Sequence, residues 1–229
     1  DCAVHAYDHR GHGRSRGKRC HVKAFREYLD DLDCFVEIVR REHPQIPVTV
    51  VGHSMGGLIT AAYLVDRRPA ICSAVTSGAG LALGQGVPRL RVAAARLLRH
   101  VLPRLSMGSG LDPNGRSRDP EVIKNYLEVP LVFRRMTASL AAELVSAVPR
   151  TAARAAEVAV PLLMLHGEDD PLCPPDGSRA FFEEVAISGS DLRIYPKLRH
   201  EIFNEPEREQ VYLDILEWLG GLPEPTSEE

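Results

Sequence analysis

The sequence lacks most of the features that narrow a protein's role quickly. Its five cysteines, Cys2, Cys20, Cys34, Cys72 and Cys173, are odd in number and scattered. They show neither the close pairs of a zinc site nor the spacing of a disulfide framework, so they read as reduced thiols. Cys34 and Cys72 fall in apolar runs and are expected to be small core residues. The formal charge of −3 over 229 residues gives no basic excess to draw a polyanion. Arg10, Arg14, Arg16, Lys18, Arg19 and Lys23 do gather near the start. Glycines and histidines interleave with them and no aromatic stacking platform accompanies them, which reads as a solvated loop and not a nucleic-acid surface. His5, His9, His12 and His21 have no converging carboxylate or thiol set, so neither a metal nor another cofactor is expected. No internal repeat, low-complexity linker, signal peptide or membrane anchor is visible. The chain opens at Asp1, without a methionine, almost directly on Ala3–Tyr7, which reads as a strand. A fragment lacking its natural start is expected, from a cytoplasmic or membrane-peripheral protein.

What is present is 44% apolar content, enough for one domain with a sizeable core, and one organising stretch, Val48-Thr49-Val50-Val51-Gly52-His53-Ser54-Met55-Gly56-Gly57. The β-branched run reads as a buried strand, and the Gly-x-Ser-x-Gly after it as a sharp strand-to-helix turn that lifts a serine to the top of a sheet. Side chains at Gly52 and Gly56 are expected to collide with the neighbouring strand and helix. Leu58, Ala61, Ala62 and Val65 follow at helical spacing, until Arg67, Arg68 and Pro69 end the helix.

The rest of the chain alternates around that turn. Phe25, Leu29, Leu32, Val36 and Val39 stripe a helix over about Lys23 to Arg41. Ile71–Ser77, Val160–Gly167 and Leu192–Tyr195 read as further strands, Gly177–Val185 and Pro206–Leu219 as helices, the last burying Val211, Ile215, Trp218 and Leu219. Strand, helix, strand in this order implies right-handed crossovers and a mostly parallel sheet flanked by helices on both faces, an α/β fold. From Gly84 to Arg150 the alternation stops. Leu90, Ala94, Leu97, Leu98 and Val101 mark one helix, Pro103–Pro120 a loop, and Glu121–Leu127 and Ala138–Val148 two more helices. The expected division is a core of residues 1–83 and 151–222, a helical cap over the site at 84–150, and a tail at 223–229.

A serine hydroxyl needs a base, and the base needs a third group to fix its tautomer. His200 lies just past one late strand end and Asp170 just past another, in the chain order Ser, acid, His. Asp169 is the rival acid. His166 precedes both and reads as structural; His53 should point away from the hydroxyl and order the turn. The amide of Met55 is expected to be one oxyanion donor.

Tyr7-Asp8-His9-Arg10-Gly11-His12-Gly13-Arg14-Ser15, Gly52–Gly57, His166-Gly167-Glu168-Asp169-Asp170 and Leu198–Glu205 together resemble the monoacylglycerol lipase and lysophospholipase family, the serine-aminopeptidase-like branch of the α/β-hydrolases. The resemblance implies an α/β-hydrolase fold with its first strands missing here, and selects Asp170 over Asp169 by the spacing from the His-Gly turn. It implies Ser54, Asp170 and His200 as a catalytic triad, with the second oxyanion donor on a loop that these residues do not contain. Ser117-Arg118-Asp119-Pro120 and Tyr126 resemble the family's lid, although Val129 stands where members commonly carry an acid. The function implied is hydrolysis of a fatty-acyl ester such as a monoacylglycerol or lysophospholipid, with transient membrane contact through the cap. A peptidase taking a free N-terminus, or a silent binding protein on the same fold, are the alternatives; a dehalogenase is disfavoured because Ser54 stands where it needs a carboxylate.

Overall fold

The computed structural model describes residues 2–83 and 89–223, so nearly all of the expected tail and the first residues of the insertion lie outside the described residues. In chain order the elements are α1 (Arg26–Glu42), β1 (Thr49–His53), α2 (Met55–Arg67), β2 (Ser73–Ser77), α3 (Arg89–Val101), β3 (Ser106–Gly108), α4 (Pro120–Glu128), β4 (Arg135–Thr137), α5 (Ala138–Ala152), β5 (Leu162–Gly167), α6 (Pro175–Glu183), β6 (Asp191–Tyr195) and α7 (Arg208–Gly221).

Strands β1, β2, β5 and β6 lie side by side in that order, all parallel, with Thr49 opposite Ser73, Ala74 opposite Leu162 and Leu163 opposite Asp191. Alternation along the strands sends side chains to two cores. Val50, Ala74, Leu162 and Met164 pack with Leu29, Leu32 and Val36 of α1, Leu58 and Ile59 of α2, and Leu140 and Ala147 of α5. Val75, Leu163 and Leu165 pack on the opposite face with Leu198, Ile202, Val211 and Trp218. The parallel sheet is therefore covered on both sides, which places the ends of β1, β5 and β6 at one edge.

Two helices start where a side chain satisfies a free backbone amide. Asp119 accepts from the Glu121 amide at 2.9 Å with Pro120 as first residue of α4, and Thr137 Oγ1 accepts from the Leu140 amide at 3.2 Å at the head of α5. α5 enters the core beside α2, so the segment expected to form a cap is tied to the core by its last helix.

Several expectations are corrected. Ala3–Tyr7 is not a strand. It lines a slot of about 450 Å³ along the outer edge of β1, and among the described residues β1 pairs with β2 alone. The Pro103–Pro120 loop contains β3, which pairs antiparallel with β4 over three residues each, too short a run for alternation to show. The leucine stripe of α3 faces outward: Leu90, Leu97 and Val101 are exposed while Ala95 is buried. Cys34 is exposed, since it lies about 200° around α1 from buried Leu32. Cys72 is half-buried and Cys20, unflagged by the sequence, is in the core. In α7, Val211 and Trp218 are buried, whereas Ile215 and Leu219 are only partly covered.

Candidate active site

Between β1 and α2 the chain turns within one residue, and Ser54 takes φ +56° and ψ −114°. For a non-glycine residue such a backbone costs about 1–3 kcal/mol and persists only where its surroundings hold it. Here the Ser54 amide donates to Ser77 O at 2.9 Å, and Ser54 O accepts from the amides of Leu58 and Gly80 at 3.1 and 3.2 Å. A β-carbon on Gly52 would lie 2.3 Å from Thr60 Oγ1 and 2.4 Å from Gly56 O, so that glycine is obligatory. Gly56 is not: a β-carbon there meets nothing within 4 Å. The second glycine that the turn requires is Gly57, whose β-carbon would stand 2.8 Å from Ala79 Cβ, where α2 crosses the residues following β2.

His200, after β6, places Nε2 at 2.8 Å from Ser54 Oγ, and its Nδ1 is 2.7 Å from Asp170 Oδ2. Asp170 follows β5 and is buried, while Asp169 is exposed. Asp170 Oδ1 accepts from the amides of Leu172 and Cys173 at 2.8 and 2.9 Å, and Oδ2 also takes His166 Nε2 at 3.0 Å. Burial alone would raise this carboxyl, but the bonds from His166 and His200, the imidazole charge and the Cys173 amide outweigh it and hold it well below the usual carboxylate range. A permanently ionised acid fixes the His200 tautomer with Nδ1 protonated and Nε2 free to accept the serine proton.

His53 lies under this pair. Its ring centroid is 4.7 Å from that of His200, and Nδ1 is 3.2 Å from Ser77 Oγ. Burial, then the neighbouring His200, lower its pKa to about 4, so it is a neutral packing surface for the other imidazole. Met55 is the first residue of α2, and its amide is one of the helix's free N-terminal donors beside Ser54. The Cys173 thiol, close to Ser54, is pushed up to about 12 by burial and by Asp170, and stays protonated.

The stretch that resembles the family's lid meets the loop carrying His200 through contacts that the sequence did not reveal, and through Arg116, which it did not single out. Arg116 pairs with Glu201 at 2.6 Å and stacks on Tyr126, 3.6 Å from the ring centroid. Glu205, fully buried, accepts from Ser117 Oγ at 3.2 Å and from the amides of Arg118 and Arg199 at 3.0 and 2.8 Å. The Glu201 amide donates to Arg116 O at 2.7 Å. Nothing in the spacing of Glu205 signals the contacts with Ser117 and Arg118, which lie 88 and 87 residues away.

Of the early histidines, His5 meets His43, with Nε2 atoms 3.0 Å apart, and Glu42 at 3.8 Å through Nδ1. The cluster is on the surface, and each of the three residues offers one ligand atom within 4.8 Å of the others, so the expectation that no carboxylate converges with the early histidines is corrected at His5. His9 is kept near pKa 4 by burial, with His12 adding to the effect.

A covered parallel sheet, a serine on a strained strand-to-helix turn, and a histidine and an aspartate supplied by later strand ends define an α/β-hydrolase. The model of the Serine aminopeptidase, S33 family matches residues 1–207, and the chain belongs to that family. It is similar to the monoacylglycerol lipase of Mycolicibacterium smegmatis, 41% identical over 217 residues that cover 94% of this chain and 77% of the relative. It is 31% identical to the phospholipase YtpA of Bacillus subtilis, over 88% of this chain and 78% of that one. Among solved structures, the monoacylglycerol lipase of Paleococcus ferrophilus superposes with a TM-score of 0.85 at 35% identity, covering 91% of this chain and 79% of that one.

Proposed function

We propose that Ser54, His200 and Asp170 form the catalytic triad of an enzyme that hydrolyses monoacylglycerols or lysophospholipids. The protein is a carboxylic ester hydrolase of the lipid-ester type, in keeping with its lipase and phospholipase relatives. The observation that carries the reading is the continuous relay from Ser54 Oγ through His200 to Asp170. Ser54 Oγ attacks the ester carbonyl carbon while His200 Nε2 takes its proton, and the Met55 amide donates to the resulting oxyanion. Collapse expels the alcohol, which leaves with the proton from His200, and the acyl group stays on Ser54. Water repeats the sequence: His200 takes its proton, the second tetrahedral adduct releases the fatty acid, and Ser54 regains its hydrogen.

No helix among the described residues is long and apolar enough to cross a membrane. Leu90, Leu97, Val101, Leu102 and Leu105 of the insertion are nonetheless exposed, which supports transient contact of a cap with a lipid surface. The peptidase alternative needs a free carboxylate for the substrate's ammonium, and Asp170 and Glu201 are both already paired. The test is hydrolysis of a long-chain monoacylglycerol, a lysophospholipid and an aminoacyl amide by the natural full-length protein beside its Ser54→Ala variant. Ester turnover that falls at least about 10⁴-fold in the variant is expected. Turnover of the amide alone would replace the lipase reading with the peptidase, and ester turnover surviving in Ser54→Ala would remove the triad.

A further inference from the structure

His166 is completely buried and is hydrogen-bonded on both sides, a heavy commitment for a residue outside the triad. Its Nε2 faces Asp170 Oδ2 at 3.0 Å and Cys173 O at 2.9 Å, and its Nδ1 faces Ser178 Oγ of α6 at 2.8 Å. A carboxylate and a carbonyl are acceptors only, so Nε2 carries the hydrogen whether the ring is neutral or charged. In the neutral ring Nδ1 is then an acceptor, and the Ser178 hydroxyl, itself buried, is its donor. The tautomer of His166 is thus set from two elements, and its N–H is aimed at the same carboxylate oxygen that His200 Nδ1 occupies at 2.7 Å.

We propose that His166 is a positioning residue of the base: its Nε2–H, locked by Ser178, shares Asp170 Oδ2 with His200 and limits how strongly that oxygen draws on the His200 proton. The inference rests on the triad reading above. Two donors on one oxygen divide its negative charge between them, and removing one leaves a stronger acceptor for the other. Asp170 without His166 holds the imidazolium of His200 more tightly, so the base sheds its proton only at higher pH. The other groups that face the pair do not replace this donor. His53 stacks on the His200 ring, the Cys173 thiol lies toward Ser54, and Glu201 is neutralised by Arg116.

The experiment is the pH dependence of kcat/KM on a soluble short-chain ester, with the natural full-length protein and its His166→Leu, His166→Gln and Ser178→Ala variants. Unfolding midpoints are recorded beside the rates. His166→Leu keeps bulk and deletes the donor, and the acid limb is expected to move up by about one pH unit. His166→Gln returns an N–H near the Nε2 position and should bring the limb most of the way back. Ser178→Ala removes only the hydroxyl that locks the ring, and should move the limb in the same direction by less, which keeps the question answerable if His166→Leu does not fold. Limbs that stay in place while rates drop only with the amount of folded protein would overturn the proposal and leave His166 as packing. Activity that persists in Ser54→Ala would overturn the triad reading instead, and the two failures are told apart by that one control.

Discussion

Ser54 stands between two unlike halves of the molecule. Toward β2, β5 and β6, the groups around the site are bonded, although Thr76 Oγ1 on β2 lacks a partner: Asp170 takes four N–H donors, Tyr195 donates to Asp214 at 2.7 Å, and Trp218 Nε1 donates to Gly189 O at 2.8 Å. Toward the outer edge of β1, Tyr7 Oη, His9 Nδ1 and His53 Nε2 are buried without one, and Val51 is 57% exposed on a strand. An unsatisfied buried polar atom costs about 1–3 kcal/mol, so the two halves differ in energy as well as in appearance. Proton handling is completed by groups already bonded to one another. The wall on the other side of the serine is the part left open.

Four substitutions or conditions test that contrast. The largest effect is expected from Asp170→Asn, whose one amide oxygen cannot accept both from the histidines at the Oδ2 position and from the Leu172 and Cys173 amides at the Oδ1 position, and whose NH2, when turned to His200, favours the wrong tautomer. Steady-state ester kinetics should show kcat lower by about 10⁴, and a loss under tenfold would mean the bonded half is not the catalytic one. Next is Gly52→Ala, where a methyl must displace Thr60 and the Gly56 carbonyl. Urea unfolding should register a loss of about 3 kcal/mol or more, against a change under about 1 kcal/mol for Gly56→Ala, which adds a better helix former in open space. Third is pH. His9 and His53 are held near pKa 4 in the fold, while an unfolded histidine titrates near 6.5. Between those values the unfolded chain binds more protons, so these two rings leave stability flat above about pH 7 and lower it as pH drops below 6.5, by roughly 2 kcal/mol for each histidine at pH 5. Chemical denaturation at pH 7.5 and 5 measures it, and no change over that range would put both rings in contact with solvent. The smallest effect separates the halves directly: Tyr7→Phe should leave the unfolding midpoint unchanged or raise it slightly, whereas Tyr195→Phe should cost about 1 kcal/mol.

Much of this was legible in the sequence because it rests on local patterns. The β-branched run before Ser54 and the apolar stripe of α1 gave two elements to within a few residues, and the order of strand ends put Asp170 and His200 where the geometry brings them to Ser54. What escaped depends on partners. Ala3–Tyr7 has the composition of a strand, but a strand needs a partner, and among the described residues β1 pairs with β2 alone. Gly56 and Gly57 are adjacent glycines with no sequence difference between them; only the approach of Ala79 shows which is needed. The outward leucines of α3 have helical spacing that says a face is apolar, not that something covers it.

The Glu205 contacts bear on how a substrate could enter. The carboxylate joins residues 117 and 118 of the insertion to the loop that carries His200, and Arg116 and Glu201 join the same two segments again. Any swing of residues 116–118 would pull His200 away from Ser54 or break the buried Glu205 carboxylate from its donors. Residues 115–118 therefore act as a fixed doorpost. A cap of the kind proposed would have to hinge on either side of it, so that such a door is hung from the frame of the site and does not form part of it.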